Sequence, residues 1–206
     1  MGLKHLPQRR SIRLKGFDYA QAGAYFVTIC TYKRKLLFSS VVEGKSIPNH
    51  LGNVVIDCWG LIPTHFPNII LDTFVLMPNH MHGVIVITEP NVGAGSPRPA
   101  SVETPSGAET APLQRPTLGQ IIAYFKYQST KQIDQRRCMP GMRVWQRNYF
   151  EHVIRTERSL HTVRNYIEDN PLRWDLDRYN PEATGGNAEA LDLWNLLTTE
   201  GRINPI

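Results

Sequence analysis

Ile69-Ile70-Leu71-Asp72-Thr73-Phe74-Val75-Leu76-Met77-Pro78-Asn79-His80-Met81-His82-Gly83-Val84-Ile85-Val86-Ile87 is the stretch on which the fold turns. Two runs rich in β-branched and large apolar residues flank Pro78-Asn79, a pair suited to a tight turn, and this predicts an antiparallel hairpin. Side chains alternate along a strand, so His80 and His82 project to one face while Met81 points into packing on the other. Two imidazoles on one face lie within reach of a single divalent ion. The spacing alone also fits two hydrogen-bonded histidines at a strand end, so the surrounding chain must decide between them.

Working outward, Ala24-Tyr25-Phe26-Val27-Thr28-Ile29-Cys30-Thr31-Tyr32 reads as a first strand, closed by the charged turn Lys33-Arg34-Lys35. Leu51, Val54, Val55, Cys58, Leu61 and Ile62 recur on one helical face, and Pro63 is expected to stop that helix. After the hairpin, residues 89–116 carry Pro90, Pro97, Pro99, Pro105, Pro112 and Pro116 among Gly, Ala, Ser and Thr without apolar periodicity, which reads as a flexible insertion. Thr117 and Gln120 then have capping-box spacing before a helix with Leu118, Ile121, Ile122 and Phe125 on one face, expected to run to about Asp134. A last strand follows within Val144–Arg155. A final helix has Ser159 as its expected cap, Leu160, Val163 and Ile167 as its stripe, and Asn170-Pro171 as its stop. The order β-α-β-β-α-β-α predicts an α+β, ferredoxin-like split arrangement with an antiparallel sheet and one additional C-terminal helix. The expected organisation is one domain over residues 1–178 and a tail over 179–206.

With 206 residues, 41% of them hydrophobic, the chain can bury a core as one domain. No apolar stretch is long enough for a bilayer and the N-terminus lacks a secretory pattern, so a cytosolic location and no membrane partner are expected. Cys30, Cys58 and Cys138 are odd in number and far apart, implying neither a disulfide framework nor a thiolate zinc site. The net charge of +5 is unevenly spread: residues 1–40 hold eight Lys or Arg against Asp18 alone, whereas acids dominate beyond residue 165. Arg9, Arg10, Arg13 and Lys15, interleaved with Phe17 and Tyr19, and then Tyr32, Lys33, Arg34 and Lys35 form a cationic stripe with aromatics. Such a stripe suits a phosphate backbone with exposed bases, or an ordinary solvated edge.

Tyr166 and Asn170 lie four residues apart on the final helix, hence on one face. A phenol beside a histidine-bound divalent ion is the equipment for attack on a phosphodiester, and Asn170 could add an oxygen ligand. Tyr166 could equally be a core aromatic of an amphipathic helix. Tyr124 and Tyr127, near Lys126 and Lys131, read as DNA contact or packing.

Three ordered motifs, Met77–His82, Val144–Arg155 and Tyr166-Ile167-Glu168-Asp169-Asn170-Pro171, together resemble the single-tyrosine HUH transposases, and most closely the REP-associated tyrosine transposases. The resemblance runs from about Arg13 to Trp174 and is broken by the Pro-rich insertion. It implies an HUH nuclease fold whose C-terminal helix carries the tyrosine. The implied activity is metal-dependent cleavage and rejoining of single-stranded DNA beside a hairpin. His80, His82 and Asn170 would hold Mg²⁺ or Mn²⁺, and Tyr166 would form a 5′-phosphotyrosine and release a 3′-hydroxyl. DNA contacts would come from Arg9, Arg10, Arg13, Lys15, Lys33, Arg34, Lys35, Lys126, Lys131 and Arg147. The expected partner is hairpin-bearing single-stranded DNA, with no nucleotide cofactor, and the protein is expected to act as a monomer or homodimer. Glu151-His152 recurs in this branch without an assignable role. A non-catalytic hairpin-binding protein of the same fold is the alternative; a hydrolase of small phosphoesters would leave Tyr166 and the cationic arm without a role.

Overall fold

The computed structural model describes residues 16–89, 115–138, 140–177 and 179–183. Arg9, Arg10, Arg13 and Lys15, the insertion from Pro90 to Gln114, and the tail beyond Ala183 lie outside the described residues. The elements in chain order are β1 (Gly23–Cys30), a 3-10 turn (Tyr32–Arg34), β2 (Ser39–Val42), β3 (Lys45–Pro48), α1 (His50–Gly60) and α2 (Ile62–His65). They continue with β4 (Ile69–Leu76), β5 (His80–Ile87), α3 (Leu118–Arg137), β6 (Phe150–Ile154), α4 (Glu157–Asp169) and a second 3-10 segment (Asn170–Leu176).

The main sheet has the order β4-β5-β1-β6 with every pair antiparallel. With β1, β4, β5 and β6 as the four strands of the motif, this is the expected split α+β arrangement. The period of two divides β1 cleanly. Tyr25, Val27 and Ile29 join Met81, Ile85 and Ile87 of β5 in the larger core, under α1 and α3. On the opposite face Phe26, Val84 and Ile154 meet Val163 and Ile167 of α4 in a second, smaller cluster. Thr28 pairs with His82 and Cys30 with His80, so both histidines emerge on the α4 side.

Gly83 shows why the histidine strand must carry a glycine. A Cβ there would sit 2.6 Å from Cζ2 of Trp59, a residue of α1.

Local chemistry sets the helix ends. In α3, Thr117 Oγ1 accepts from Gln120 N (3.2 Å) and Gln120 Oε1 accepts from Thr117 N (2.8 Å), completing the expected capping box. The helix runs to Arg137, one turn beyond expectation, and ends on Cys138 in a left-handed conformation (φ 53°). Two other expectations are corrected, and one element had not been expected. Pro63 does not end a helix but opens one: α1 stops at Gly60, and Pro63 occupies the first turn of α2, where its missing N–H costs nothing. Thr156, not Ser159, caps α4; Ser159 is its reciprocal partner, its Oγ accepting from Thr156 N. The β2–β3 hairpin was unexpected; its turn places Glu43 (φ 50°) and Gly44 (φ 69°) in left-handed conformations, as a two-residue hairpin loop requires.

Candidate active site

The site grows from the two-residue turn between β4 and β5. Met77 N donates to His80 O (2.8 Å), and Asn79 fills the corner, wholly buried. Its Nδ2 donates to the carbonyls of Tyr179 (2.6 Å) and Arg34 (3.3 Å), which fixes the amide so that Oδ1 faces His80 Nδ1 at 2.9 Å. A carbonyl oxygen only accepts, so His80 carries its proton on Nδ1 and turns the Nε2 lone pair inward. The His82 ring is anchored at Nδ1, which lies 2.8 Å from Thr28 Oγ1 across the β1–β5 pairing. The rings lie 4.7 Å apart and both are buried. Two Nδ1 anchors aiming two Nε2 atoms is the arrangement expected of metal-binding imidazoles.

A carboxylate completes the set. Asp177, 3% exposed, caps the 3-10 segment that prolongs α4. Its Oδ1 accepts from Tyr179 N (2.6 Å), while Oδ2 stands 3.8 Å from His80 Nε2. One ligand atom each from His80, His82 and Asp177 all lie within 4.8 Å of one another. Two imidazole nitrogens and one carboxylate oxygen, all buried and close together, are a donor set that fits a divalent cation.

Tyr166 reaches the same face from α4, its ring centroid 5.3 Å from His82 and 6.2 Å from Phe26. One turn further, Asn170 is 1% exposed, and neither its Nδ2 nor its Oδ1 has a hydrogen-bond partner among the described residues. A buried orphan amide beside Tyr166 is compatible with a ligand or substrate contact. Thus His80, His82 and Tyr166 are brought together, Asn170 follows on the tyrosine helix, and Asp177 joins them. Trp174 (6.2 Å) and Tyr179 (4.7 Å) flank the His80 ring, so Tyr179 belongs to the site although sequence reasoning assigned it to the tail.

The tyrosine helix is pinned to the sheet edge. β4 changes register between Leu71 and Phe74, and at this irregularity Asp72 receives Arg164 in a bidentate pair: Nε to Oδ1 2.8 Å, Nη2 to Oδ2 2.6 Å. The Arg164 guanidinium, with hydrogen bonds from Thr73, holds the Asp72 carboxyl far below the usual carboxylate range.

The remaining candidates divide by exposure. Lys33, Arg34, Lys35, Lys131 and Arg147 are exposed. Lys126 instead spends its ammonium on the carbonyls of Gln146 (3.0 Å), Arg147 (3.4 Å) and Asn148 (3.3 Å), and burial pulls its pKa down to about 8. Its geometry is that of a brace between α3 and the 146–148 turn. Tyr124 stacks on His65 at 4.0 Å, which accounts for it as packing. In β6, Glu151 faces Val27 and His152 faces Phe26, so the two side chains leave opposite faces. Burial, with Arg155 adding to it, pushes His152 down to about 4.

No family model matches the chain. Among solved structures it is similar to a REP-associated tyrosine transposase bound to a REP hairpin, at 18% identity and a TM-score of 0.47, covering 80% of this chain and 73% of that one. It is also similar to a chain from Deinococcus radiodurans R1 described as a candidate transposase, at 15% identity and a TM-score of 0.39, covering 76% and 97%. An uncharacterised protein of Haemophilus influenzae is 39% identical over 177 residues, spanning 86% of this chain and 94% of that protein. The chain belongs to the same protein family as this Haemophilus influenzae relative.

Proposed function

We propose that the protein is a metal-dependent DNA nickase and strand transferase that cuts and rejoins single-stranded DNA beside a hairpin, with Tyr166 as nucleophile. The observation that carries this reading is the Tyr166 ring against His82, with His80 and Asp177 converging on the same point. Two of the three motifs that resemble the REP-associated tyrosine transposases, Met77–His82 and Tyr166–Pro171, supply residues of this cluster.

His80, His82 and Asp177 would hold the cation, with Asn170 Oδ1 as a further oxygen donor. A bound Mg²⁺ or Mn²⁺ supplies polarisation of a non-bridging phosphate oxygen and positive charge that favours the phenolate. Tyr166 Oη attacks the phosphorus, a P–Oη bond forms and the P–O3′ bond breaks. The 3′-oxygen leaves with a proton, and the 5′ end stays on the tyrosine. Reversal with another 3′-hydroxyl rejoins the strand, and the conserved phosphodiester energy removes any need for a nucleotide cofactor. Asn79 holds the His80 tautomer, Thr28 holds the His82 ring in place, and the Asp72–Arg164 pair holds the helix bearing the nucleophile. Lys33, Arg34, Lys35, Lys131 and Arg147, with Arg9, Arg10, Arg13 and Lys15 of the N-terminal segment, would contact phosphates; Lys126 is left to its bracing role.

The test is a denaturing gel of protein with end-labelled, hairpin-flanked single-stranded DNA, with and without Mn²⁺. The expected result is a metal-dependent protein–DNA band that disappears in Tyr166→Phe. Tight binding without an adduct across varied hairpins would favour a non-catalytic hairpin binder.

A further inference from the structure

On the side of the sheet away from Tyr166, α3 and the loop 141–147 enclose a cleft of about 460 Å³ that the proposed chemistry does not use. Its walls carry Lys131, Arg143 and Arg147, all exposed, together with Tyr127 at 63% and Met142 at 40% exposure. The one acid in the lining, Asp134, accepts from Gly141 N (3.0 Å) and so closes the loop onto α3. Arg143 of the wall and Lys33 beyond the rim each stand 5.6 Å from the centroid of the Tyr32 ring, which extends the positive surface toward the Lys33–Lys35 turn.

The cleft is built before any ligand arrives. Lys126 Nζ ties the 146–148 carbonyls to α3, and Trp145 Nε1 donates to Ser129 Oγ (2.9 Å) beneath the floor. The floor is joined to β1: Tyr32 N donates to Val144 O (2.7 Å) and Gln146 N to Cys30 O (2.9 Å). Cys30 is in turn the partner of His80. The backbone of the cleft floor therefore runs about 10 Å, two strand spacings, from that of the histidine strand.

Three exposed cations, besides Lys126 held on backbone carbonyls, against one acid that closes the loop, beside an exposed phenol ring and a thioether, match an unpaired nucleotide with its flanking phosphates. The volume falls in the range of small-ligand sites. We infer that this cleft binds an unpaired stretch of single-stranded DNA, one base stacking on Tyr127 and the adjoining phosphates meeting Lys131, Arg143 and Arg147. The inference deepens the single-strand reading above and rests on it for the choice of DNA as ligand.

The test is fluorescence anisotropy in EDTA, so that no cleavage occurs, with a labelled oligothymidylate lacking any hairpin and a blunt duplex of equal length. Tyr127→Ala is expected to weaken oligothymidylate binding about tenfold and leave the duplex unchanged, with Tyr127→Phe restoring affinity. Arg143→Gln and Lys131→Gln are each expected to weaken binding and lower the salt slope by about one unit. Oligothymidylate affinity unmoved by Tyr127→Ala and Arg143→Gln would overturn the inference, as would equal losses on duplex and single strand in Tyr127→Ala. Cleft variants that bind normally while the Tyr166 adduct forms would sink the cleft alone. Loss of adduct chemistry with cleft binding intact would sink the nuclease reading alone.

Discussion

The ring of Tyr166 lies 5.3 Å, centroid to centroid, from that of His82, although 84 residues separate them in the chain. β5 fixes one partner and α4 the other, and the second apolar cluster of Phe26, Val84, Val163 and Ile167 holds the two elements together. Tyr166→Phe removes only the hydroxyl and keeps this packing. Strand cleavage is therefore expected to fall at least about a thousandfold, the scale seen when a nucleophile is deleted, while the thermal midpoint and DNA affinity stay near wild type. A cleavage assay paired with a melting curve checks both.

Asp177 is expected to matter for the metal as much as either histidine. Asp177→Asn keeps the turn's shape and removes the charge, so Mn²⁺ affinity by calorimetric titration should drop by at least about ten- to a hundredfold. The exposed neighbour Asp175→Asn should leave it unchanged. Unchanged Mn²⁺ affinity in Asp177→Asn, with a loss in Asn170→Ala, would instead support the ligand set of His80, His82 and Asn170.

The Asp72–Arg164 pair predicts an acid-sensitive anchorage of α4. The folded-state carboxyl titrates below its unfolded value of about 4, so the pair's contribution is full above that pH and is lost on further acidification. Both groups are partly solvated, which limits it to about 1 kcal/mol. Urea titrations should find Asp72→Asn less stable than wild type by this amount at neutral pH, with the gap closing as pH falls below about 4.

His152 acts in a higher window. Unfolded, its imidazole titrates near 6.5, whereas burial in the fold holds it at about 4. Between these values the unfolded chain binds the extra proton, so stability falls as pH drops from about 6.5 toward 4 and is unaffected above. The full penalty is at most about 3 kcal/mol. His152→Gln should flatten that slope in the same urea titrations; an unchanged slope would place its origin elsewhere.

Gly83→Ala tests the packing that backs the histidine strand. The new methyl meets Trp59 at 2.6 Å, and a ring wedged between Phe74 and Phe125 has little room to retreat. The expected loss is about 1–3 kcal/mol by chemical denaturation.

Much of the site was legible because its logic is local. The period of two put His80 and His82 on one face of a strand whose apolar run predicted its burial, and the spacing of four put Asn170 one turn beyond Tyr166. The antiparallel order followed from the same periodicities. Asp177 was not legible: it follows a 3-10 segment with no apolar period, and only tertiary packing carries it to His80. Lys126 was expected among the DNA contacts, yet its long stem reaches three carbonyls of a turn some twenty residues away. The β2–β3 hairpin was hidden by short strands of alternating burial, with only the Glu43-Gly44 turn to signal it.

The central claim is that Tyr166, rather than another tyrosine near the histidines, becomes joined to DNA. Mass spectrometry of the proteolysed adduct, after nuclease digestion of the DNA to its last linked nucleotide, locates that bond directly. The account predicts the nucleotide on the peptide containing Tyr166, through a 5′-phosphate, and only when Mn²⁺ or Mg²⁺ is present. Linkage to Tyr179, whose ring flanks His80, or to Tyr127 in the α3 cleft would contradict it.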